Sequence, residues 1–211
     1  KIQDVADIIS FIDVVTSFAE VSVNNHYVRP TFNNKNIINV KNGRHPVMEV
    51  INRNDNYIPN NVEINDKEHF VIISGPNMGG KSTFMRQVAI ASIMAQIGCF
   101  VAADEACLPI FDGIYTRIGA SDDMISGQST FMVEMNEVNF ALQHASVNSL
   151  ILFDEVGRGT ATFDGMALAQ AIIEYICNNI KAITLFSTHY HELTALSDNI
   201  EGIVNYHAAV V

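Results

Sequence analysis

Apolar residues change their spacing several times along this chain, and the changes mark out its elements. Over the first twenty residues Ile2, Val5, Ile9, Ile12, Val15 and Ala19 recur at three- and four-residue intervals, with Asp4, Asp7 and Asp13 among them, which predicts a helix with one apolar stripe. The stripe stops near Asn24 and Asn25, and Arg29-Pro30 breaks the chain before a different texture begins. Short apolar runs at 37–40 and 62–64 predict modest strands between Asn-rich turns. Residues 69–74 then form a continuous run ending in Gly75, as expected of a strand buried on both faces. Residues 81–97 set Phe84, Val88, Ala91, Met94 and Ile97 in a helical pattern closed by Gly98. Another helix is predicted where Phe131, Met135, Val138, Ala141 and Leu142 recur. A second buried strand at 149–153 runs into Asp154-Glu155, and a helix over 166–180 precedes a third apolar strand at 182–186. Strand and helix in alternation imply right-handed crossovers and an α/β fold with a mostly parallel sheet covered by helices. The expected organisation is a helical stub over residues 1–30 and one α/β domain over 31–211.

Composition narrows the picture. The chain has 211 residues, 48% of them hydrophobic, with a mean hydropathy of +0.17, yet holds no uninterrupted apolar stretch of membrane-spanning length. It begins at Lys1, already inside a helical pattern and with no signal peptide, as expected of a segment of a longer cytoplasmic protein. Cys99, Cys107 and Cys177 have no CxxC spacing, and the seven histidines show no zinc-ligand pairing, so buried thiols in a reducing compartment are expected. Charge is divided unevenly. Residues 1–100 are neutral, whereas 101–211 hold three Lys/Arg against fourteen Asp/Glu and carry the whole net charge of −11. A surface that grips the DNA backbone needs clustered cations, so this acidic half is not expected to be one.

Candidate chemistry lies at the ends of the buried strands. Gly75, Pro76, Asn77, Met78, Gly79, Gly80, Lys81 and Ser82 satisfy G-x-x-x-x-G-K-S/T between a strand and a helix. Such a loop turns backbone N–H groups toward phosphate oxygens, and the helix behind it aims its positive end at the same anion. Lys81 can reach the β- and γ-phosphates of a nucleotide, and Ser82 can offer its hydroxyl to Mg²⁺. Asp154 is suited to support Mg²⁺, and Glu155 to take a proton from the attacking water. A third strand ends in Ser187-Thr188-His189, where a histidine can donate to the γ-phosphate or orient water, whereas His191 reads as the structural start of the next helix. Between these motifs, the Ser/Gly-rich segment from Ser126 lies before a helix and forms a second anion seat. One nucleotide needs one cradle, so either Ser129 and Thr130 simply cap that helix or the seat serves the nucleotide of another subunit.

These residues resemble the MutS family of DNA mismatch-repair proteins. The cradle Gly-Pro-Asn-Met-Gly-Gly-Lys-Ser-Thr over 75–83, including Thr83, is similar to the family's phosphate loop, and Ser126 to Met135, reading SGQSTFMVEM, to its signature loop. Asp154 to Gly165 resembles its extended strand motif, Ser187 to Leu193 its histidine loop, and Gly43 to Pro46 the stretch before the phosphate loop. The resemblance implies a P-loop ATPase of the ABC type, acting on ATP with Mg²⁺ and releasing ADP, with two composite sites in a homodimer. It implies that Lys81 and Ser82 bind phosphate and Mg²⁺, Asp154 supports the metal, Glu155 activates water and His189 senses the γ-phosphate. It further implies that Asn77 fixes the γ-phosphate and nucleophile, that Ser129 reaches the partner subunit's nucleotide, and that Tyr57 stacks on adenine. Residues 1–25 resemble the end of the family's long helical lever. Mismatched DNA would be read by regions outside this sequence, as would the C-terminal helix-turn-helix lie outside it, and a MutL-type protein would be the repair partner. One departure stands out. The family usually carries Pro and then a basic or amide residue after the position of Val101, where this chain has Ala102, Ala103, Asp104 and Glu105.

Two other readings compete. The ATPase half of a membrane transporter normally has an LSGGQ-like signature, which residues 126–130 do not spell. A non-hydrolysing nucleotide switch of the same family would not need Glu155 beside Asp154.

Overall fold

In the computed structural model, which describes residues 1–51, 57–76, 79–119 and 130–209, the chain opens with a 23-residue helix, α1 (Ile2–Asn24). There follow β1 (Thr31–Asn33), β2 (Ile38–Gly43), the short α2 (Pro46–Ile51), β3 (Asn60–Ile64), β4 (Phe70–Ser74) and α3 (Lys81–Gln96). After them come β5 (Glu105–Pro109), β6 (Ile114–Arg117), α4 (Thr130–His144), β7 (Leu150–Asp154) and α5 (Thr162–Tyr175). A π-helical turn over Ile176–Ile180 continues α5, and a 3₁₀ segment over His191–Asp198 separates β8 (Ile183–Ser187) from β9 (Ile203–His207).

The strands form two sheets. One has five strands in the order β6-β7-β8-β4-β9, and every pairing in it is parallel. The other has four strands in the order β1-β5-β2-β3, with β2 antiparallel to both of its neighbours. Helix α3 lies between them. Its Met85, Val88 and Ala89 share one core with Ile38, Val62 and Leu108 of the smaller sheet and Val71, Ile73, Leu152 and Leu185 of the larger. The opposite face of the parallel sheet (Phe70, Ile72, Ile151, Phe153, Phe186) packs on Val138 and Ala141 of α4 and Ala169, Ile172 and Ile173 of α5. A parallel strand covered on both sides must be apolar at successive positions, which is why β4, β7 and β8 read as unbroken runs.

One boundary needs correction. Helix α5 starts at Thr162 rather than 166, with Asp164 in its first turn, and its C-terminal part over 176–180 is wound as a π-helical turn. The predicted strands at 37–40 and 62–64 form as β2 and β3 and pair with each other in the four-stranded sheet. The α1 stripe forms a helix as predicted, yet Ile2, Val5, Ile9, Ile12 and Val15 are all exposed. Among the described residues no helix is long and apolar enough to cross a membrane. All three cysteines are free, with Cys99 and Cys177 buried and Cys107 only partly so.

Candidate active site

Three neighbouring strands of the parallel sheet, β7, β8 and β4, end on one edge, and each delivers polar residues there. The carboxyl edge of an open parallel sheet is where such folds bind ligands.

From β4 the chain turns sharply at Gly75, whose φ is +132°. A side chain there would place its Cβ 2.6 Å from the Ala208 carbonyl, so the turn requires glycine. Gly80 then leads into α3, and among the described residues no side chain caps that helix, which leaves its first N–H groups turned toward the loop. Lys81 folds back over the same loop. Its Nζ donates to the carbonyls of Gly75 at 2.8 Å and Pro76 at 3.1 Å, and lies 4.0 Å from Glu155 Oε1. The residue is only 3% exposed, so its ammonium depends on these oxygens in place of water. Pro76 also accepts the Gly79 N–H at 3.0 Å, which tightens the loop.

The register of β7 against β8 sets Asp154 beside Ser187. Asp154 Oδ1 accepts the Ser187 hydroxyl, and Oδ2 accepts the Ser82 hydroxyl at 2.5 Å. Both carboxylate oxygens are thereby oriented, and the phosphate loop is tied to the Asp154 strand through the first turn of α3. A serine hydroxyl beside an aspartate carboxylate is an all-oxygen donor set, which suits a hard cation such as Mg²⁺.

Glu155 follows in an unusual backbone conformation, with φ of +55°. For a residue with a Cβ this costs about 1–2 kcal/mol and persists only where surrounding contacts enforce it. Its N–H donates to Ser187 O at 3.1 Å. Three basic groups converge on its carboxylate. Arg158 Nη1 donates to Oε2 at 2.6 Å, while His189 Nε2 lies 2.5 Å and Lys81 Nζ 4.0 Å from Oε1. The His189 loop is fixed from behind by the Thr188 N–H, which donates to Ile73 O of β4 at 3.1 Å.

The structure therefore brings together Gly75, Pro76, Gly79, Gly80, Lys81, Ser82, Asp154, Glu155 and His189. Thr83, half-buried in the first turn of α3, adjoins them. Tyr57 is placed differently. Its hydroxyl donates to Gln87 Oε1 at 2.7 Å, six residues along α3 from Lys81 and so about 9 Å up the helix axis. Asn77, Met78 and Ser129 lie outside the described residues. His191 opens the 3₁₀ segment, with its carbonyl accepting the Thr194 hydroxyl at 2.7 Å.

A family model described as MutS domain V matches residues 71–211, two thirds of the sequence and all of this sheet edge. The chain belongs to the MutS family. It is 59% identical to the DNA mismatch repair protein MutS of Streptococcus mutans over 211 residues, all of this chain and 25% of that protein. It is also 59% identical over 210 residues to the protein of that name from Halalkalibacterium halodurans, and 56% over 211 residues to that of Listeria welshimeri. The chain thus spans about a quarter of the length of these MutS relatives.

Sequence reasoning missed several residues of this MutS site. Ser187 reads from the sequence only as part of a polar strand end, whereas its hydroxyl donates to Asp154. Arg158, one of three Lys/Arg in the acidic half and part of the Asp154–Gly165 run, pairs with Glu155 three residues before it. Glu134 and Tyr190 stand within the quoted motifs with no role that their spacing assigns. Both bond to the peptide of Gly157, a contact between elements that no local spacing predicts.

Proposed function

We propose that this chain is the ATP-hydrolysing domain of a mismatch-repair protein, with an ABC-type P-loop fold over residues 31–211 and a lever end over 1–30. The observation that carries the reading is the convergence of Lys81, the Ser82–Asp154 pair and Glu155 on one edge of a parallel sheet. The glycine loop and the uncapped start of α3 bind the phosphates, with the Lys81 ammonium exchanging loop carbonyls for phosphate oxygens. Ser82 and Asp154 hold Mg²⁺, which when bound offsets the charge of the β- and γ-phosphates. Glu155 takes the proton of the attacking water, and His189, 2.5 Å from the same carboxylate, orients that water or donates to the γ-phosphate. Asn77 assists at the γ-phosphate. Tyr57 stacks its ring on adenine, with its hydroxyl anchored on Gln87. Ser129 completes the site of a partner subunit, so the working unit is a homodimer. In the whole protein, nucleotide state would govern mismatched-DNA binding and signalling to a MutL-type partner in the cytoplasm.

The test compares nucleotide titration with single-turnover hydrolysis in the full-length protein. Lys81→Ala should lose ATP binding, while Glu155→Ala should keep it and lose turnover by about 100-fold or more, the scale of general-base catalysis. Equal titration curves for wild type and Lys81→Ala, or an unchanged single-turnover rate in Glu155→Ala, would remove the assignment.

A further inference from the structure

The turn that carries Glu155 contains a second left-handed residue, Gly157, with φ of +90°. That peptide is gripped on both sides. Its N–H donates to Glu134 Oε1 of α4 at 2.6 Å, and its carbonyl accepts the Tyr190 hydroxyl at 3.0 Å. No Cβ fits, because one built on Gly157 would lie 2.6 Å from Gly165 O. Glu134 is 7% exposed, and its other oxygen faces Arg117 of β6 at 3.8 Å, whose Nε in turn lies 3.3 Å from Glu137. Burial and the Glu134 carboxylate push the Tyr190 phenol up, so it remains a donor across the working pH range. These contacts have no chemistry of their own to perform. They act on a turn whose two ends matter, with Glu155 at one side of Gly157 and its ion partner Arg158 at the other.

We propose that Glu134 and Tyr190 are positioning residues that clamp the Gly157 peptide from two different elements and thereby hold Glu155 in its strained, reactive orientation. The inference rests on the reading of Glu155 as the base. Glu134 comes from the helix that follows the Ser126–Ser129 segment, and Tyr190 directly follows His189, so the clamp ties the two flanks of the site to its centre. Loss of either grip frees the turn to relax toward ordinary dihedrals, which misplaces the carboxylate without touching the phosphate loop.

The test uses full-length protein and reads kcat, KM for ATP, nucleotide affinity and melting temperature for Tyr190→Phe, Glu134→Ala and Glu134→Gln. Tyr190→Phe and Glu134→Ala should each lower kcat about 10-fold, the worth of one strong hydrogen bond, with KM and nucleotide affinity within about 2-fold of wild type. Glu134→Gln keeps a carbonyl acceptor for the Gly157 N–H and should restore most of kcat. A purely structural role would instead lower melting temperature and leave kcat per folded molecule unchanged, and that result overturns the clamp. Should Glu134→Ala fail to fold, Tyr190→Phe, which loses a single oxygen, still decides the matter. A wild type without ATP turnover removes the functional reading and the clamp with it, whereas an active wild type with unaffected variants removes the clamp alone.

Discussion

Burial and charge set what individual side chains can do, and Glu155 and Cys177 mark opposite ends of that range. Glu155 sits in a costly backbone conformation with Arg158, His189 and Lys81 around its carboxylate, the pattern of a residue held for chemistry rather than for packing. Cys177 is a thiol held for packing. It lies within the core behind the parallel sheet, and burial pushes its pKa up to about 12 from an ordinary 9.0. At pH 8 that lowers its thiolate fraction about 1,000-fold relative to an ordinary cysteine, and only the thiolate is alkylated. Iodoacetamide labelling followed by mass spectrometry should therefore leave Cys177 unmodified in the native protein and label it fully in denaturant. Comparable rates in the two conditions would contradict its placement. Which residues carry the site was legible at this scale wherever one residue type in one spacing has a mechanism, as for Lys81 and Asp154. The strain at Glu155 and the Gly157 contacts were not, because they depend on residues brought together from distant parts of the chain.

Elements were legible in proportion to how completely the sheet buries them. Strands β4, β7 and β8 lie inside the parallel sheet, so their apolar runs are continuous and their ends are sharp. Strands β6 and β9 lie at its two edges, are only partly buried and run for four or five residues, too short a pattern to separate from a loop. Strand β5 ends in Pro109, which sequence reasoning takes as a strand breaker, although at a strand terminus it costs no ladder bond. Between α4 and β7 a different device closes the chain. Asp112 Oδ2 accepts the Ser146 hydroxyl at 2.5 Å and Oδ1 that of Ser149 at 2.6 Å, pinning the 144–149 turn to the start of β6. These hydroxyls hold the Asp112 carboxyl below its ordinary value of 3.8. The sign follows from linkage. A depressed carboxyl contributes stability that is fully present above its unfolded pKa and is lost as pH falls through the lower folded value. Chemical denaturation should therefore find Asp112→Asn less stable than wild type by a constant margin above about pH 5, with the margin shrinking below about pH 4. A margin independent of pH down to 3 would mean that the charge of Asp112 plays no part.

Across the whole molecule, charge and site geometry point to different surfaces for different partners. The net charge of −11 falls within residues 101–211, which also supply Asp154, Glu155 and His189, so that half is poorly suited to a DNA backbone. Around Glu155 that acidity is offset locally by Arg158 of the same half and by Lys81 of the other. On the proposed reading, charge developing on a γ-phosphate at this sheet edge is stabilised in part by donors from a partner subunit. Ser129, on the proposed reading, is such a donor, and this yields the most demanding prediction. A Lys81→Ala chain has no working cradle but an intact Ser129, whereas a Ser129→Ala chain has the reverse. Each homodimer is then without a complete site. In a mixed dimer the cradle of the Ser129→Ala chain faces the Ser129 of the Lys81→Ala chain, and one complete site forms. With random pairing half the dimers are mixed and each carries one of two sites, so an equimolar mixture of full-length chains should recover about a quarter of wild-type ATP turnover. The recovery should grow with protein concentration, since exchange between dimers produces the active species. A mixture no more active than the separate variants, at concentrations where wild type turns over, would place Ser129 outside the partner's site.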